Sequence, residues 1–322
     1  RTCQTLAARK DKRRSAIGKA MRTYDFWRVD VFAAKPLEGN PLAVFPRAHG
    51  LTDAEMLAIA REMNISETTF VLPPSDPRAN YRNRIFTPGG EIPFAGHPSL
   101  GTAYVAANEG LVSAREGVTT IRQEVGIGVL PLDLHVRGGV VEKVVMTQGT
   151  PRVGRPSRNL EPLAKALGIR ARDIAATKLA PRTSSTGAPS LQVPVRSLDV
   201  VRALDTDPRA LAKVLTRIDR DAGAYVFAFD AEGDADLHAR GFFPLHGITE
   251  DPATGSAAGA CGAYLAANGR LPPKEWFVIE QGIEVHHPSR IEVSVRAVGR
   301  NPREVRVAGK VVPVMRGQLT LS

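Results

Sequence analysis

Cysteine is scarce in this sequence, and long apolar runs are missing altogether. Two cysteines in 322 residues, Cys3 and Cys261, cannot build a disulfide framework. No CxxC pair or Cys/His cluster offers the closed ligand set of a structural zinc site. The expectation is therefore a reducing, cytoplasmic setting and no bound metal. No stretch approaches the roughly 18 apolar residues that a membrane-spanning helix needs, because Gly, Pro or charge cuts each run, so no membrane partner is expected. The N-terminal region has no apolar segment of about 7 to 15 residues, so a secretory signal is not expected.

The formal charge of +10 raises the question of nucleic acid, and its distribution answers it. Residues 1–22 carry eight basic side chains (Arg1, Arg9, Lys10, Lys12, Arg13, Arg14, Lys19 and Arg22) against Asp11, leaving only +3 for the remainder. That basic leader reads as a transit peptide, a disordered arm, or sequence upstream of a start at Met21, with the last favoured, and is not expected to join the fold. Without it, nothing points to a nucleic-acid partner.

From Tyr24 to Phe32 an aromatic and β-branched run reads as a strand that ends in the turn residues Gly39-Asn40-Pro41, and Leu42–Phe45 reads as a second. Thr52-Asp53-Ala54-Glu55 is a capping box, and Met56, Leu57, Ile59, Ala60 and Met63 recur at helical spacing, so a helix should end near Asn64. Ser66–Leu72 and Tyr81–Phe86 read as strands. A Gly/Pro-rich loop from Thr87 to His97 then opens an alanine-rich helix running from Pro98 to about Asn108. Further strands are expected at Val129–Val136, Val140–Met146, Ile291–Val295 and Val305–Val314, with Thr150–Pro156 as the connection between halves.

The chain also repeats itself. Ala103-Tyr104-Val105-Ala106-Ala107-Asn108 returns as Ala263-Tyr264-Leu265-Ala266-Ala267-Asn268, and Glu91…Pro93…Gly96 returns as Glu250…Pro252…Gly255. Phe86-Thr87-Pro88 is echoed by Phe242-Phe243-Pro244. Three blocks in one order at nearly one offset imply a duplicated unit of strand, Pro-containing loop, Gly and small-residue helix.

In each copy a loop ending in Gly runs into a helix of small residues. Such helix N-termini present free N–H groups and a partial positive charge, so two of them around one cleft could hold a carboxylate and stabilise an enolate-like transition state. Tight helix packing alone would also explain the small residues, but not the polar side chains at the mouths, His97 at the first and Asp251 and Ser256 at the second. His97 at the helix entry could exchange a proton with a ligand, although a lone histidine is more often a satisfied polar residue. By spacing alone Asp251 and Ser256 read as helix caps. Glu67 becomes a base only if burial beside Phe70 and Ile65 raises its pKa. Gly126-Ile127-Gly128 is followed by Pro131 and strand-like residues, which argues against a dinucleotide-binding turn.

Arg28–Phe32 with Gly39-Asn40-Pro41, Ile65–Val71, Phe86 to Gly96-His97-Pro98, and Glu250-Asp251-Pro252-Ala253-Thr254-Gly255-Ser256 together resemble the PhzF-like proteins of phenazine biosynthesis, from about Tyr24 to the C-terminus. The resemblance implies an α+β fold of the diaminopimelate-epimerase type. In it two pseudo-symmetric halves, each a twisted and mostly antiparallel sheet around a central helix, enclose the site between them. The expected division is 23–150 plus 303–322 for the first half and 151–302 for the second. The resemblance further implies an isomerase of the proton-shift or epimerase type, needing no cofactor and acting on a small carboxylate as a homodimer. Glu67 would be its acid/base; His97, Asp251 and Ser256 would line the site, with Gly96, Thr254 and Gly255 contacting substrate. Related racemases of this fold use one cysteine per half at the helix mouths, and this chain has none there. A catalytically silent binding protein of the same fold is the competing expectation.

Overall fold

A computed structural model of the chain describes residues 21–322. The reading of residues 1–20 as a leader, and Cys3 with it, lies outside the described residues; Arg22, grouped with that leader above, is the first residue of the first strand.

Each half winds a sheet around one helix, and the two halves do so in the same order. In the first half β1 (Arg22–Val31), β2 (Asn40–Phe45), β3 (Glu67–Leu72), β4 (Tyr81–Thr87) and the short β5 (Gly90–Ile92) precede a central helix, Gly96–Asn108. The strands β6 (Gly117–Val125), β7 (Gly128–Arg137) and β8 (Val140–Thr147) follow it. After β9 (Arg152–Pro156), the second half runs β10 (Arg182–Ser185), β11 (Pro189–Pro194), β12 (Gly223–Ala228), β13 (Leu237–Phe243) and β14 (Ile248–Asp251). Its central helix is Gly255–Ala267, and β15 (Phe277–Gln281), β16 (Ser289–Val298) and β17 (Asn301–Gly309) complete it. The pairing repeats as well: β2 with β3 and β4 with β6 are parallel, and so are their counterparts β11 with β12 and β13 with β15. The duplication legible in the sequence is thus a duplication of topology.

The last strands of the two units, β8 and β17, pair antiparallel with one another, Thr147 opposite Arg306 and Val144 opposite Gly309. This joins the halves into one continuous sheet. The chain then returns: β18 (Val311–Leu321) lies along the whole of β1. The run expected as one strand over Val305–Val314 is therefore two strands parted at Lys310, and the first of them, expected from residue 303 on to belong to the first half, pairs with β16 and packs on the second half's helix instead. Similarly, the connection expected at Thr150–Pro156 contains β9, which adds an edge to the second half by pairing with β10. Pro156 is tolerated there because an edge strand need not donate from every residue.

Both central helices are buried nearly all round, which is why their sequences show no polar stripe. Small residues let the wrapping strands approach: a Cβ on Gly101 would lie 2.5 Å from Leu42 Cδ2, and one on Gly262 2.8 Å from Val295 Cγ2. The outer helix Asp53–Met63 has the predicted capping box and ends at Asn64, which adopts the left-handed conformation. Gly126 and Ile127 form the turn of the β6–β7 hairpin, away from any phosphate-binding geometry.

Candidate active site

The two central helices begin next to each other. A Cβ built on Gly96 would lie 3.9 Å from the backbone nitrogen of Ser256, so the mouths expected to face one cleft do so. Neither N-cap residue, Ala95 or Thr254, caps its helix with a side chain. The first-turn N–H groups, those of Gly96 and His97 on one side and Gly255, Ser256 and Ala257 on the other, are left for whatever occupies the space between. That space is a cavity of about 350 Å3. Its lining includes Glu67, Gly96, His97, Asp251, Thr254, Gly255 and Ser256, so every candidate site residue from the sequence reaches it. Ile92, Phe94, Phe243 and Ile248 supply apolar walls, the mixture typical of a small-molecule site.

Glu67 opens β3, and its side chain is only 12% exposed. Its Oε2 lies 3.3 Å from Nε2 of His97, the second residue of the first central helix, yet among the described residues neither atom has an aligned hydrogen-bond partner. The imidazole bonds instead to the backbone of Pro41. With Nε2 unpartnered, that bond runs through Nδ1–H to the Pro41 carbonyl, which leaves a lone pair on Nε2 facing the carboxyl. Burial pushes His97 down to about 3, so the ring is neutral at neutral pH. Burial, with the Asp251 charge in second place, pushes Glu67 up to about 8. A protonated Glu67 facing a neutral His97 is the resulting resting state.

Asp251 ends β14 and is gripped from both halves. Its Oδ1 accepts from Asn40 Nδ2 at 2.9 Å and its Oδ2 from Thr254 Oγ1 at 2.5 Å. Gln281 Nε2 donates to its carbonyl at 2.7 Å, while Gln281 Oε1 accepts from Tyr225 Oη and from the Thr254 N–H, both at 3.1 Å. Burial raises Asp251 to about 6 against the opposing effect of the Thr254 and Asn40 hydrogen bonds. The capping role that spacing favours for Asp251 is not what the structure shows: its carboxylate takes side-chain donors, and Thr254 stands at the N-cap. Ser256 is likewise no cap; it lies one residue inside the helix and borders the cavity. Cys261 is fully buried in the second helix, and burial pushes its thiol upward, so it offers no thiolate.

Asn40, the Pro41 carbonyl, Tyr225 and Gln281 were not among the sequence candidates. Gly39-Asn40-Pro41 is visible in the sequence only as a turn, and its reach into the site depends on the other half of the molecule. On the far rim Ser190, Asp221 and His246 also border the cavity.

Comparison with known proteins agrees with this architecture. A family model described as phenazine biosynthesis-like protein matches residues 29–317. An uncharacterized isomerase of Clostridium acetobutylicum is 34% identical over 94% of this chain and 100% of its own length. The trans-2,3-dihydro-3-hydroxyanthranilate isomerase of Pseudomonas fluorescens is 36% identical over 91% of this chain and 98% of its own. The crystal structure of the PhzF-family phenazine biosynthesis protein of Bacillus anthracis superposes with a TM-score of 0.83 at 30% identity, covering 93% of this chain and all of that one. The fold is thus of the diaminopimelate-epimerase-like class, and relatives that match over nearly the full chain are named isomerases. Within that class the chain belongs to the phenazine biosynthesis-like (PhzF) family, and it is an isomerase.

Proposed function

We propose that this isomerase moves a proton on a small carboxylate substrate by acid/base catalysis in the cleft between its halves, without a cofactor. The observation that carries the reading is the Glu67 carboxyl: nearly buried, on the wall of the cavity, and poised near 8, close enough to neutrality to serve as both base and acid. The substrate carboxylate would lie against the N–H groups of the two helix mouths, which favour an anion and need no reorganisation as charge develops. Glu67 in its ionised form would take a proton from carbon, breaking the C–H bond. The electron pair would delocalise into an enolate-like system steadied by the same N–H groups, and Glu67 would return the proton to another carbon. The double bond moves and no atom is gained or lost. Neutral His97, whose Nε2 lone pair can only accept, would steady Glu67 once the carboxyl has taken up the proton, in its role as the acid. Base, acid and anion cradle all come from the chain's own groups, which supports the cofactor-independent form of the reading.

The test is solvent deuterium uptake, read by mass spectrometry, into a panel of small unsaturated carboxylates that includes trans-2,3-dihydro-3-hydroxyanthranilate, the substrate named for the Pseudomonas fluorescens relative. Uptake should survive chelator treatment and fall by roughly 100-fold or more in Glu67→Gln. Uptake undiminished in that variant would sink the assignment of Glu67. Binding without any uptake would favour a silent binding protein.

A further inference from the structure

The turn Gly39-Asn40-Pro41 belongs to the first half but is docked on the second. The Gly39 N–H donates to the Pro288 carbonyl at 3.0 Å, and close by the Arg290 N–H donates to the carbonyl of Phe32 at 2.9 Å. Gly39 needs its φ of +73°, because a side chain there would collide with the Val31 carbonyl and Ala33. With the turn fixed in this way, Pro41 accepts the hydrogen bond of His97, and Asn40, fully buried, donates to Asp251 Oδ1 at 2.9 Å and to the Ala253 carbonyl at 3.0 Å. The Ala253 carbonyl can only accept, and so can the Asp251 carboxylate when ionised, so the NH2 group must face them. Among the described residues its own Oδ1 is buried without a partner, a cost that a residue serving packing alone would not incur.

We propose that Asn40 is a positioning residue: it holds the Asp251 carboxylate, ionised, where its charge bears on Glu67 across the junction of the halves, and thereby controls the protonation of the catalytic acid/base. The inference rests on the reading of Glu67 given above. Glu67 is faced by neutral His97 from the first central helix, and Asp251, at the end of β14, borders the same cavity and its charge raises Glu67. Asp251 in turn feels Glu250, whose charge is paired with Arg240 at 2.7 Å. Asp251 is therefore the unpaired charge next to Glu67, and its two hydrogen-bonded oxygens decide whether it stays charged and stays in place. Removing the Asn40 donor disfavours the ionised form of Asp251 and frees it to turn; either change weakens the repulsion on Glu67 and lets Glu67 ionise at lower pH.

The experiment is a carbon-13 NMR titration of protein labelled at the glutamate side-chain carboxyl, with Glu67 assigned by the resonance missing in Glu67→Gln. The titration is followed in wild type, Asn40→Ala, Asp251→Asn and the double variant. Glu67 should titrate lower by about one pH unit in each single variant, and the double variant should match Asp251→Asn, because Asn40 acts through Asp251. Wild-type titration in Asn40→Ala, or a double variant that moves well beyond Asp251→Asn, overturns the proposal. If Asn40→Ala does not fold, Asn40→Ser, which keeps a small polar group in the slot but cannot span to Asp251, is read in the same way. Deuterium uptake measured on the same wild-type protein separates the two ideas: failure of uptake removes the proton-shift reading, while the coupling of Asn40 to Glu67 is still decided by the titration.

Discussion

Nε2 of His97 faces Oε2 of Glu67 across 3.3 Å, and the environment shifts the two groups in opposite senses, His97 down to about 3 and Glu67 up to about 8. Both shifts favour the uncharged form, as burial dictates when neither group has a charged partner in contact. The pair resembles an ion pair by distance and is a neutral pair by electrostatics. The stability of the folded chain should therefore depend on pH through each member with opposite sign.

For Glu67 the folded state holds its proton more tightly than the unfolded chain, whose carboxyl titrates at 4.5. The unfolded state releases its proton first as pH rises, so stability is lost progressively between 4.5 and about 8 and levels off above that. Glu67→Gln removes this dependence. In urea unfolding the variant should gain on wild type by on the order of 1–4 kcal/mol between pH 5 and pH 8.5. Parallel stability curves would show that the carboxyl is not held in its neutral form.

For His97 the sign reverses. The folded state binds its proton less well than the unfolded chain, whose imidazole titrates at 6.5, so stability present above 6.5 is lost as pH falls toward 3. His97→Asn, which can still donate to the Pro41 carbonyl, should flatten the acid limb of unfolding while lowering turnover about 10-fold or more through looser placement of Glu67. An acid limb unchanged in this variant would mean that the ring takes up a proton in the folded protein.

Much of this arrangement is legible in the sequence because it is local or repeated. The Thr52–Glu55 capping box, the Pro-bounded strands and the two Ala-rich helices each carry their signal within a dozen residues, and the echo of Ala103–Asn108 in Ala263–Asn268 exposes the duplication. Asp251 shows where such reading stops. Its spacing before a helix is that of a cap, but its carboxylate binds Asn40, which is 211 residues away, and no local pattern reports a bond between halves. The split at Lys310 is hidden for a similar reason: strands β17 and β18 are both β-branched and continuous in sequence, and only their partners, β8 and β16 for one and β1 for the other, tell them apart.

Gly39 lies in none of the catalytic positions, yet its replacement should affect activity. Gly39→Ala forces a side chain into left-handed backbone and against the Val31 carbonyl, which should cost about 2–4 kcal/mol of stability. The relief available to the turn is to shift, and Asn40 and Pro41 shift with it, away from Asp251 and His97. Turnover of the folded fraction should fall about 10-fold or more, with KM changed less. A variant that is destabilised but turns over normally once folded would separate the turn from the chemistry.

The two glycines at the helix mouths should respond differently to one added methyl group, and the difference distinguishes a ligand cradle from tight packing. At Gly255 a Cβ would lie 2.9 Å from Phe32 Cζ, so Gly255→Ala must displace the ring and should lose about 1–3 kcal/mol of stability. At Gly96 the nearest atoms are Met146 Cε at 3.8 Å and the Ser256 nitrogen at 3.9 Å, ordinary contact distances, so Gly96→Ala should unfold within about 0.5 kcal/mol of wild type. Its methyl group nevertheless stands between the two sets of N–H groups, on the wall of the cavity. If the substrate carboxylate binds there, KM should rise about 10-fold or more in Gly96→Ala at nearly unchanged Tm. If KM stays at the wild-type value, the mouths are small only so that the helices can meet, and the carboxylate must be held elsewhere along the cavity.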